Sequence, residues 1–240
     1  MLLAAFTKRL VRSSARRAGF LLDYRTPQTD PGLRLAVMLS ANRIENVLDI
    51  GANIGQFAED LFENGYGGRI TSFEPIPHAH SRLRMKAEGN PRWTVADPVA
   101  LSDKAGEATF HEASNDLASS LLPFSGSYNG EIDTIASYTV RTSRLDDISV
   151  DGRLFLKIDA QGAEMPILQG ATATLSRIVG LQVEMSLSAI YKDQVLAPEI
   201  NTMLEGLGFE LWDVIPAFRN RTTQKLLQYD GVYFRAPGPA

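Results

Sequence analysis

The stretch VLDIGANIG, residues 47–55, is typical of a buried strand that ends in a glycine-rich turn and enters a helix. Gly51 and Gly55 let the backbone turn tightly and approach a ligand closely, because neither residue carries a Cβ atom. The free N–H groups of the next helix would then point at that ligand. Glu74 follows the next strand-like run, Arg69–Phe73, where an acid in a doubly wound sheet meets ribose hydroxyl groups. The pattern predicts a site for a nucleoside cofactor.

The residues of the turn favour one nucleoside cofactor over another. The dinucleotide fingerprint requires G-x-G-x-x-G, but Asn53 and Gln56 stand where the second and third glycines belong. Asp49 and Asn53, together with the two glycines, instead resemble the first motif of methyltransferases that use S-adenosylmethionine (SAM). That cofactor carries a sulfonium cation and an amino-acid tail, which an acid such as Asp49 helps to hold. The alternative is a turn with a structural role only, and the acid after the next strand favours the cofactor.

The composition is that of one soluble globular domain. A chain of 240 residues suffices for an α/β domain with its own core, and contents of 44% hydrophobic and 22% charged residues are ordinary. The net charge of -4 and the pI near 5.5 argue against nucleic acid as the main partner. The absence of cysteine excludes disulfides and thiolate metal sites, and no apolar run approaches the roughly 20 residues that span a bilayer. We therefore expect a cytoplasmic protein.

The N-terminal segment is basic and amphipathic, and no acid precedes Asp23. Its cations, which alternate with apolar residues at roughly helical spacing, are Lys8, Arg9, Arg12, Arg16 and Arg17. We predict a helical cap over residues 1–40 and a cofactor domain over residues 41–240. A helix at the membrane surface, which would make the protein membrane-associated, and an organellar transit peptide are the other interpretations.

Strand-like and helix-like segments alternate along the rest of the chain, as a parallel sheet requires. The almost wholly apolar run Leu154–Asp159 is typical of a central strand that is buried on both faces. One helix is predicted after Glu164, with Pro166 in its first turn and an apolar face that extends to Leu175. Phe209–Val214 and Tyr229–Arg235 are predicted to form an antiparallel pair at the sheet edge. The pattern predicts an α/β fold with a doubly wound, mostly parallel sheet.

Residues 112–138 have a different character, since they are rich in Ser, Asn, Gly and Asp and show no sustained period. An irregular stretch of this length is usually a functional lid or a disordered insert, and its embedded apolar residues favour a lid.

The three histidines are predicted to be surface or structural residues. His78 and His80 are predicted to lie on the surface of the helix after Glu74, and His111, at the entrance of the lid, is predicted to be structural rather than a base.

The chain resembles the FkbM family of SAM-dependent O-methyltransferases over roughly residues 45–235. The residues that carry the resemblance are 47–55, Phe73-Glu74-Pro75, Ala100–Asp103 with Gly106, Leu145–Asp147, the block LKIDAQGAE at 156–164, Gly170, Ala171, Glu184 and Gly231–Arg235. The block at 156–164 is the most family-specific piece, because many methyltransferases share the glycine turn. One departure is Ala160, where a larger aliphatic residue is expected.

The resemblance implies a Rossmann-like, doubly wound, mostly parallel seven-stranded sheet with an antiparallel edge pair. It implies methyl transfer to a hydroxyl group of a sugar, glycan, glycolipid or polyketide-type acceptor. The residues then expected to bind SAM are Asp49, Gly51, Asn53, Gly55, Glu74, Pro75 and Ser102. Two serines of the lid, Ser119 and Ser120, are expected to contact the acceptor.

The strand ends predict the catalytic acids. Ligands of open α/β sheets lie at the carboxyl ends of the strands, so Asp49, Glu74, Asp159 and Glu184 should line one rim. Asp159 is the first choice for a general base that takes the proton of the acceptor hydroxyl, and Glu184 would also face the acceptor. Lys157 lies on the same face of its strand by alternation, where it would pair with a carboxylate or steady the acceptor oxygen.

Other interpretations stay open. Asp159 and Glu184 would in one alternative share a divalent cation such as Mg²⁺, which lowers the pKa of the acceptor hydroxyl, and in another merely cap the helices that follow them. A nucleotide-dependent oxidoreductase is disfavoured because no tyrosine has a lysine four residues on. A non-catalytic SAM-binding module is the remaining class. The sequence specifies neither the oligomeric state nor the individual acceptor.

Overall fold

The computed structural model describes residues 24–113, 119–125 and 134–236, with Arg17 and Gly19. The basic part of the predicted N-terminal cap therefore lies almost wholly outside the described residues. The same is true of residues 114–118 and 126–133 of the predicted lid.

Strands and helices alternate through the described chain. The strands are β1 (Asn46–Ile50), β2 (Arg69–Phe73), β3 (Trp93–Val95), β4 (Ala100–Leu101), β5 (Gly106–Ala113), β6 (Thr134–Ser143), β7 (Leu154–Ile158), β8 (Ile178–Ser186), β9 (Phe209–Arg219) and β10 (Leu226–Arg235). The helices are α1 (Pro31–Ala41), α2 (Gln56–Glu63), α3 (Pro77–Ala87), α4 (Glu164–Gln169), α5 (Thr172–Leu175) and α6 (Ala197–Gly206), with a 3₁₀ turn at Leu145–Asp147.

The main sheet has seven strands in the order β3-β2-β1-β7-β8-β10-β9. The pairs β1–β2, β2–β3, β1–β7 and β7–β8 are parallel, whereas β10 runs antiparallel to both β8 and β9. Every residue of β1 and β7 is buried, as expected for central strands that are covered on both faces. The predicted seven-stranded α/β sheet with an antiparallel edge pair is confirmed.

The strand order reverses between β1 and β7, and this reversal positions the site. The chain moves outward from β1 to β2 and β3 and later returns to place β7 on the other side of β1. Ligands of open α/β sheets bind at such a switch point, outside the carboxyl ends of the strands. Here the two loops touch, since Asp159 N–H donates to the carbonyl oxygen of Ile50 over 3.1 Å.

A second sheet, which the sequence did not predict, has three strands in the order β4-β6-β5. The expectation of an irregular stretch over residues 112–138 is therefore wrong at both ends, since β5 ends at Ala113 and β6 begins at Thr134. The pattern of β6 explains the failure, because only Val140 and Thr142 are buried and most of its residues face solvent. A strand with so short an apolar face gives little alternation to detect.

Helix α1 belongs to the core of the domain. Asp30 caps it by accepting a hydrogen bond from Leu33 N–H over 2.9 Å, and buried Leu35 and Leu39 pack in the same apolar cluster as Val47 of β1. The described part of the predicted cap thus packs against the sheet, while the division at residue 40 stays a prediction. No helix within the described ranges is long and apolar enough to cross a membrane.

The helix predicted after Glu164, with an apolar face that extends to Leu175, is interrupted. The carbonyl oxygen of Gly170 accepts from Asp146 N–H over 3.1 Å, and a Cβ at Gly170 would lie 2.0 Å from the carbonyl oxygen of Ser102. The carboxylate of Asp146 also accepts from Thr174 N–H over 2.8 Å, which caps the new helix α5. Tertiary contact therefore breaks the helix at Gly170.

One histidine prediction is also wrong. His78 is exposed as predicted, but His80 is buried, and its Nε2 lies 2.7 Å from the carbonyl oxygen of Ala96.

Candidate active site

A cavity that is open to solvent lies at the carboxyl ends of β1, β2 and β7. Its polar wall includes Gly51, Asn53, Glu74, Asp159 and Gln161. Its apolar wall comes partly from the small sheet and its surroundings, through Val99, Ala100, Leu101, Phe110 and Leu121, and partly from the main sheet and the loops and helices that follow its strands. A largely apolar cleft with a few convergent polar groups is the usual form of a small-molecule site.

The glycine turn after β1 has the backbone conformation that its residues predict. Gly51, Asn53 and Gly55 have φ angles of 73°, 48° and 91°, in the left-handed region that favours glycine and tolerates asparagine. The turn is held against the end of β2, because the N–H groups of Gly51 and Ala52 both donate to the carbonyl oxygen of Phe73. No side chain caps the first turn of α2, which leaves that helix end available to a ligand.

Glu74 lines the cavity and holds the turn from the other side. One carboxylate oxygen accepts from Asn53 N–H over 2.7 Å and the other accepts from Ile76 N–H over 2.8 Å. The side chain is almost completely buried, and burial raises the pKa of Glu74 to about 7 despite these two hydrogen bonds. Each oxygen keeps a second lone pair for a ligand hydroxyl group.

Asp49 lies behind the cavity wall and does not line it. Its side chain is fully buried, and it accepts a hydrogen bond from Ser72 Oγ over 3.0 Å, while Trp93 Nε1 donates to the same Ser72 oxygen. The other carboxylate oxygen lies 3.2 Å from Lys157 Nζ. Asp49 therefore supports the wall of the cavity from behind, and its contact with the cofactor stays a prediction.

Lys157 is the partner of Asp49, as one of its two predicted roles required. Its ammonium group donates to the carbonyl oxygen of Gly51 over 3.1 Å, and it lies 3.9 Å from Asp159 Oδ2. Burial acts to lower the pKa of Lys157, but the nearby carboxylates of Asp49 and Asp159 outweigh burial, so the pKa is raised. Because Lys157 is buried and does not line the cavity, the structure does not place it against an acceptor oxygen.

Asp159 is the acid at the mouth of the cavity. Its side chain is 38% exposed, and it lines the cavity together with Glu74 and the glycine turn. Asp159 Oδ1 accepts from Gln161 Nε2 over 2.8 Å. Within the described residues Oδ2 has no hydrogen-bond donor and only the lysine ammonium at 3.9 Å near it. One oxygen of the carboxylate is therefore left for a ligand.

Glu184 is close to Asp159 but does not line the cavity. The amide group Gln161 Nε2 bridges the two acids, since it also lies 2.9 Å from Glu184 Oε2. Gln228 Nε2 donates to the same Glu184 oxygen over 2.7 Å. Burial, reinforced by the charge of Asp159, raises the pKa of Glu184 well above its usual range.

Glu164 is a buried acid of this site that the sequence reasoning did not single out. Its Oε1 accepts from the N–H groups of Ala160 and Gly162, over 3.1 and 3.0 Å, and so fixes the loop that carries Asp159. Burial raises the pKa of Glu164 to about 7. Both Glu164 and Gln161 lie inside the block at 156–164, so the block itself was the signal that pointed to them.

The other predicted residues fall on both sides of the cavity wall. Pro75 lines the cavity, whereas Gly55 packs against Trp93 and Ser102 lies outside, next to Gly170. Of the lid serines, Ser119 lines the cavity and Ser120 is buried, with its Oγ donating to the carbonyl oxygen of Gln161 over 2.6 Å.

The arrangement does not favour the magnesium alternative. No group of three or more His or acidic side chains suited to a metal occurs among the described residues. A cation shared by Asp159 and Glu184 would also have to displace the amide hydrogens of Gln161 that lie between them.

The residues of the cavity fit SAM. Glu74 can accept from the hydroxyl groups of a ribose, and the apolar wall beside it suits an adenine ring.

Comparisons with known proteins identify the family of this chain. The family model described as the methyltransferase FkbM domain matches residues 49–211. The chain is 29% identical over 178 residues to the 2-O-methyltransferase NoeI of Sinorhizobium fredii, an alignment that covers 69% of this chain and 72% of NoeI. It is 24% identical over 164 residues to the hexuronic acid methyltransferase AglP of Haloferax volcanii, which covers 66% of this chain and 64% of AglP.

A solved structure shows the same fold. The methyltransferase FkbM of Methylobacillus flagellatus matches with a TM-score of 0.51 at 16% identity, over 78% of this chain and 43% of that one. With a family model over more than half of the chain, the oxidoreductase alternative is wrong. The switch-point cavity, the glycine turn and the block at 156–164 thus belong to a methyltransferase, and the chain is a member of the FkbM methyltransferase family.

Proposed function

We propose that this protein transfers a methyl group from SAM to a hydroxyl group of a sugar or glycan. The observation that carries the proposal is the partly exposed carboxylate of Asp159, which has one oxygen left for a ligand and lines the same cavity as Glu74 and the glycine turn. The names of NoeI and AglP, which refer to O-methylation and to a hexuronic acid, support a sugar acceptor over a polyketide.

The cofactor would lie along the polar wall. Glu74 would accept from its ribose hydroxyl groups, and the backbone of Gly51 and Asn53 would pass beside its amino-acid part. When bound, SAM supplies a methyl group that is activated by a sulfonium centre. The residues of this chain would hold the acceptor oxygen in line with that methyl group and remove the acceptor proton.

Asp159 is the general base of this proposal. A sugar hydroxyl is a poor nucleophile at neutral pH, so its proton has to leave as its oxygen takes the methyl group and the sulfur–carbon bond breaks. Asp159 Oδ2 would receive that proton, which contributes about 10²–10⁴-fold to the rate. Lys157 is held by Asp49 and places its positive charge 3.9 Å from Oδ2 of the base.

Glu184 has a different role from Asp159 in this proposal. It is buried, its pKa is raised well above the usual range, and it does not line the cavity. We therefore place Glu184 behind the base rather than against the acceptor. Mg²⁺ bound between the two acids remains the alternative, which loss of activity in EDTA would support. Contact of the basic N-terminal segment with a membrane surface stays a prediction.

The test measures S-adenosylhomocysteine formation with a panel of neutral sugars, uronic acids and glycolipids, each with and without EDTA. We expect product that depends on the acceptor and survives EDTA. Asp159→Asn should abolish turnover and keep SAM binding in calorimetry. Asp103→Asn is the matched control, because Asp103 is also 38% exposed but does not line the cavity.

Three results would contradict parts of the proposal. Turnover that persists in Asp159→Asn would show that Asp159 is not the general base. Product that disappears in EDTA and returns with Mg²⁺ would show that the enzyme needs a metal ion, and Asp159 and Glu184 would then be assigned as its ligands. SAM binding without product from any acceptor favours the non-catalytic module.

A further inference from the structure

Gln161 connects the two acids of the site through a single amide group. Its Nε2 lies 2.8 Å from Asp159 Oδ1 and 2.9 Å from Glu184 Oε2, so the two amide hydrogens are directed to two different carboxylates. Its Oε1 accepts from Tyr191 Oη over 3.0 Å, and this hydrogen bond requires the amide to keep its orientation. The side chain of Gln161 is thus hydrogen-bonded at both ends.

The backbone of Gln161 is held as firmly as its side chain. It has a φ angle of 52°, an unusual conformation for a residue other than glycine, and the surrounding contacts must maintain it. Its carbonyl oxygen accepts from Ser120 Oγ over 2.6 Å, and Ser120 Oγ in turn accepts from Leu122 N–H over 2.9 Å. The segment Ser119–Ser125 is therefore joined to the loop that carries Asp159.

These contacts leave Asp159 with only one free oxygen. Gln161 occupies Oδ1, and Lys157 is too far from Oδ2, at 3.9 Å, for a hydrogen bond. Without the amide, the carboxylates of Asp159 and Glu184 would face each other with no donor between them, and rotation of the Asp159 side chain would no longer be restrained.

We propose that Gln161 is the positioning residue of the catalytic base: it holds Asp159 so that Oδ2 faces the acceptor hydroxyl. The inference rests on the proposed function for the role of Asp159. It adds that the rate of methyl transfer depends on the amide donors of Gln161, and that Tyr191 acts on the rate through Gln161 by fixing the orientation of its amide.

Two substitutions separate this role from packing. Gln161→Glu keeps the size of the side chain but removes both donors, and Gln161→Ala removes the side chain. Gln228→Ala is the matched control, because Gln228 also donates to Glu184 Oε2 but makes no hydrogen bond to Asp159. Tyr191→Phe removes the hydroxyl that orients the Gln161 amide and keeps the ring that stacks on Phe124 at 5.1 Å.

The experiment measures kcat, KM and the dissociation constant of SAM for wild type and each variant, with melting temperatures to establish folding. Misplacement of a catalytic group by about 1 Å costs on the order of 10²-fold in rate, so kcat should fall about 10²-fold in both Gln161 variants. SAM affinity should fall much less than kcat. Tyr191→Phe should lose less, and Gln228→Ala least.

The outcomes distinguish this proposal from the one on which it rests. If Gln161→Glu or Gln161→Ala keeps kcat while Asp159→Asn loses it, Asp159 stands as the base and Gln161 is not its positioning residue. If Asp159→Asn keeps kcat, the base assignment fails first. If wild type methylates no acceptor, crystal structures of wild type and Gln161→Ala decide the geometry: an Asp159 carboxylate that keeps its orientation and its spacing to Lys157 without the amide overturns the proposal.

Discussion

Replacement of Glu164 with glutamine is expected to make the protein more resistant to unfolding at alkaline pH. Burial raises the folded-state pKa of Glu164 to about 7 from an ordinary value of 4.5. As the pH rises from 4.5 to 7, the unfolded chain loses this proton before the folded chain does. The free energy of unfolding of wild type therefore falls over this interval, and one pKa unit is worth about 1.36 kcal/mol.

The magnitude follows from the same interval. The difference between the folded-state and unfolded-state pKa values of Glu164 corresponds to about 3 kcal/mol of stability. Wild type loses this stability between pH 4.5 and pH 8, whereas Glu164→Gln would keep it. The structure allows the substitution, because the N–H groups of Ala160 and Gly162 both donate to Oε1, an oxygen that glutamine also provides. The variant should thus retain both hydrogen bonds and remove the buried charge.

The assay is urea denaturation of the protein without cofactor at a series of pH values, followed by tryptophan fluorescence. The difference in unfolding free energy between Glu164→Gln and wild type should grow by about 3 kcal/mol from pH 4.5 to pH 8. Glu199→Gln is the matched control, since Glu199 lies in the first turn of α6 as Glu164 lies in that of α4, but is exposed. Parallel pH profiles for Glu164→Gln and wild type would refute the reasoning.

Three further predictions concern the wall of the cavity and the ion pair behind it. Gly51→Ala should abolish SAM binding, because its Cβ would lie 1.8 Å from a carbonyl oxygen of the loop after β7; Gly65→Ala, with a similar φ angle of 87° but no atom within 4 Å, should keep binding in calorimetry. Lys157→Met should cost about 3–5 kcal/mol in urea denaturation, because Asp49 would stay buried without its partner, and a loss under about 1 kcal/mol would contradict the pairing. Glu74→Gln should weaken SAM binding by about 1–3 kcal/mol in calorimetry. An affinity equal to that of wild type would show that Glu74 does not bind the cofactor.

The sequence predicted the main sheet better than the small one. Apolar runs such as Leu154–Ile158 are buried on both faces and stand out from any neighbouring segment. Strand β6 buries only Val140 and Thr142, so its local pattern does not differ enough from that of a loop. The helix break at Gly170 was missed for another reason, since it depends on contacts with Ser102 and Asp146 that are distant in the chain.

The candidate site shows the same division. The rule that ligands lie at the carboxyl ends of strands correctly brought Glu74 and Asp159 to the cavity wall. The rule could not separate them from Asp49 and Glu184, which also lie at or near strand ends but are buried behind the wall. It also gave no reason to single out Gln161, whose importance comes from two partners on different elements.

The sequence by itself determined the strand, the glycine turn and the set of acids, because backbone conformation at glycine and the period of buried strands are local properties of the chain. Only the tertiary structure decided which acid is exposed, which is paired and which has a pKa raised by burial. Those properties depend on burial and on contacts such as that of Lys157 with Gly51, 106 residues apart, which exist only once the strand order has placed β7 beside β1.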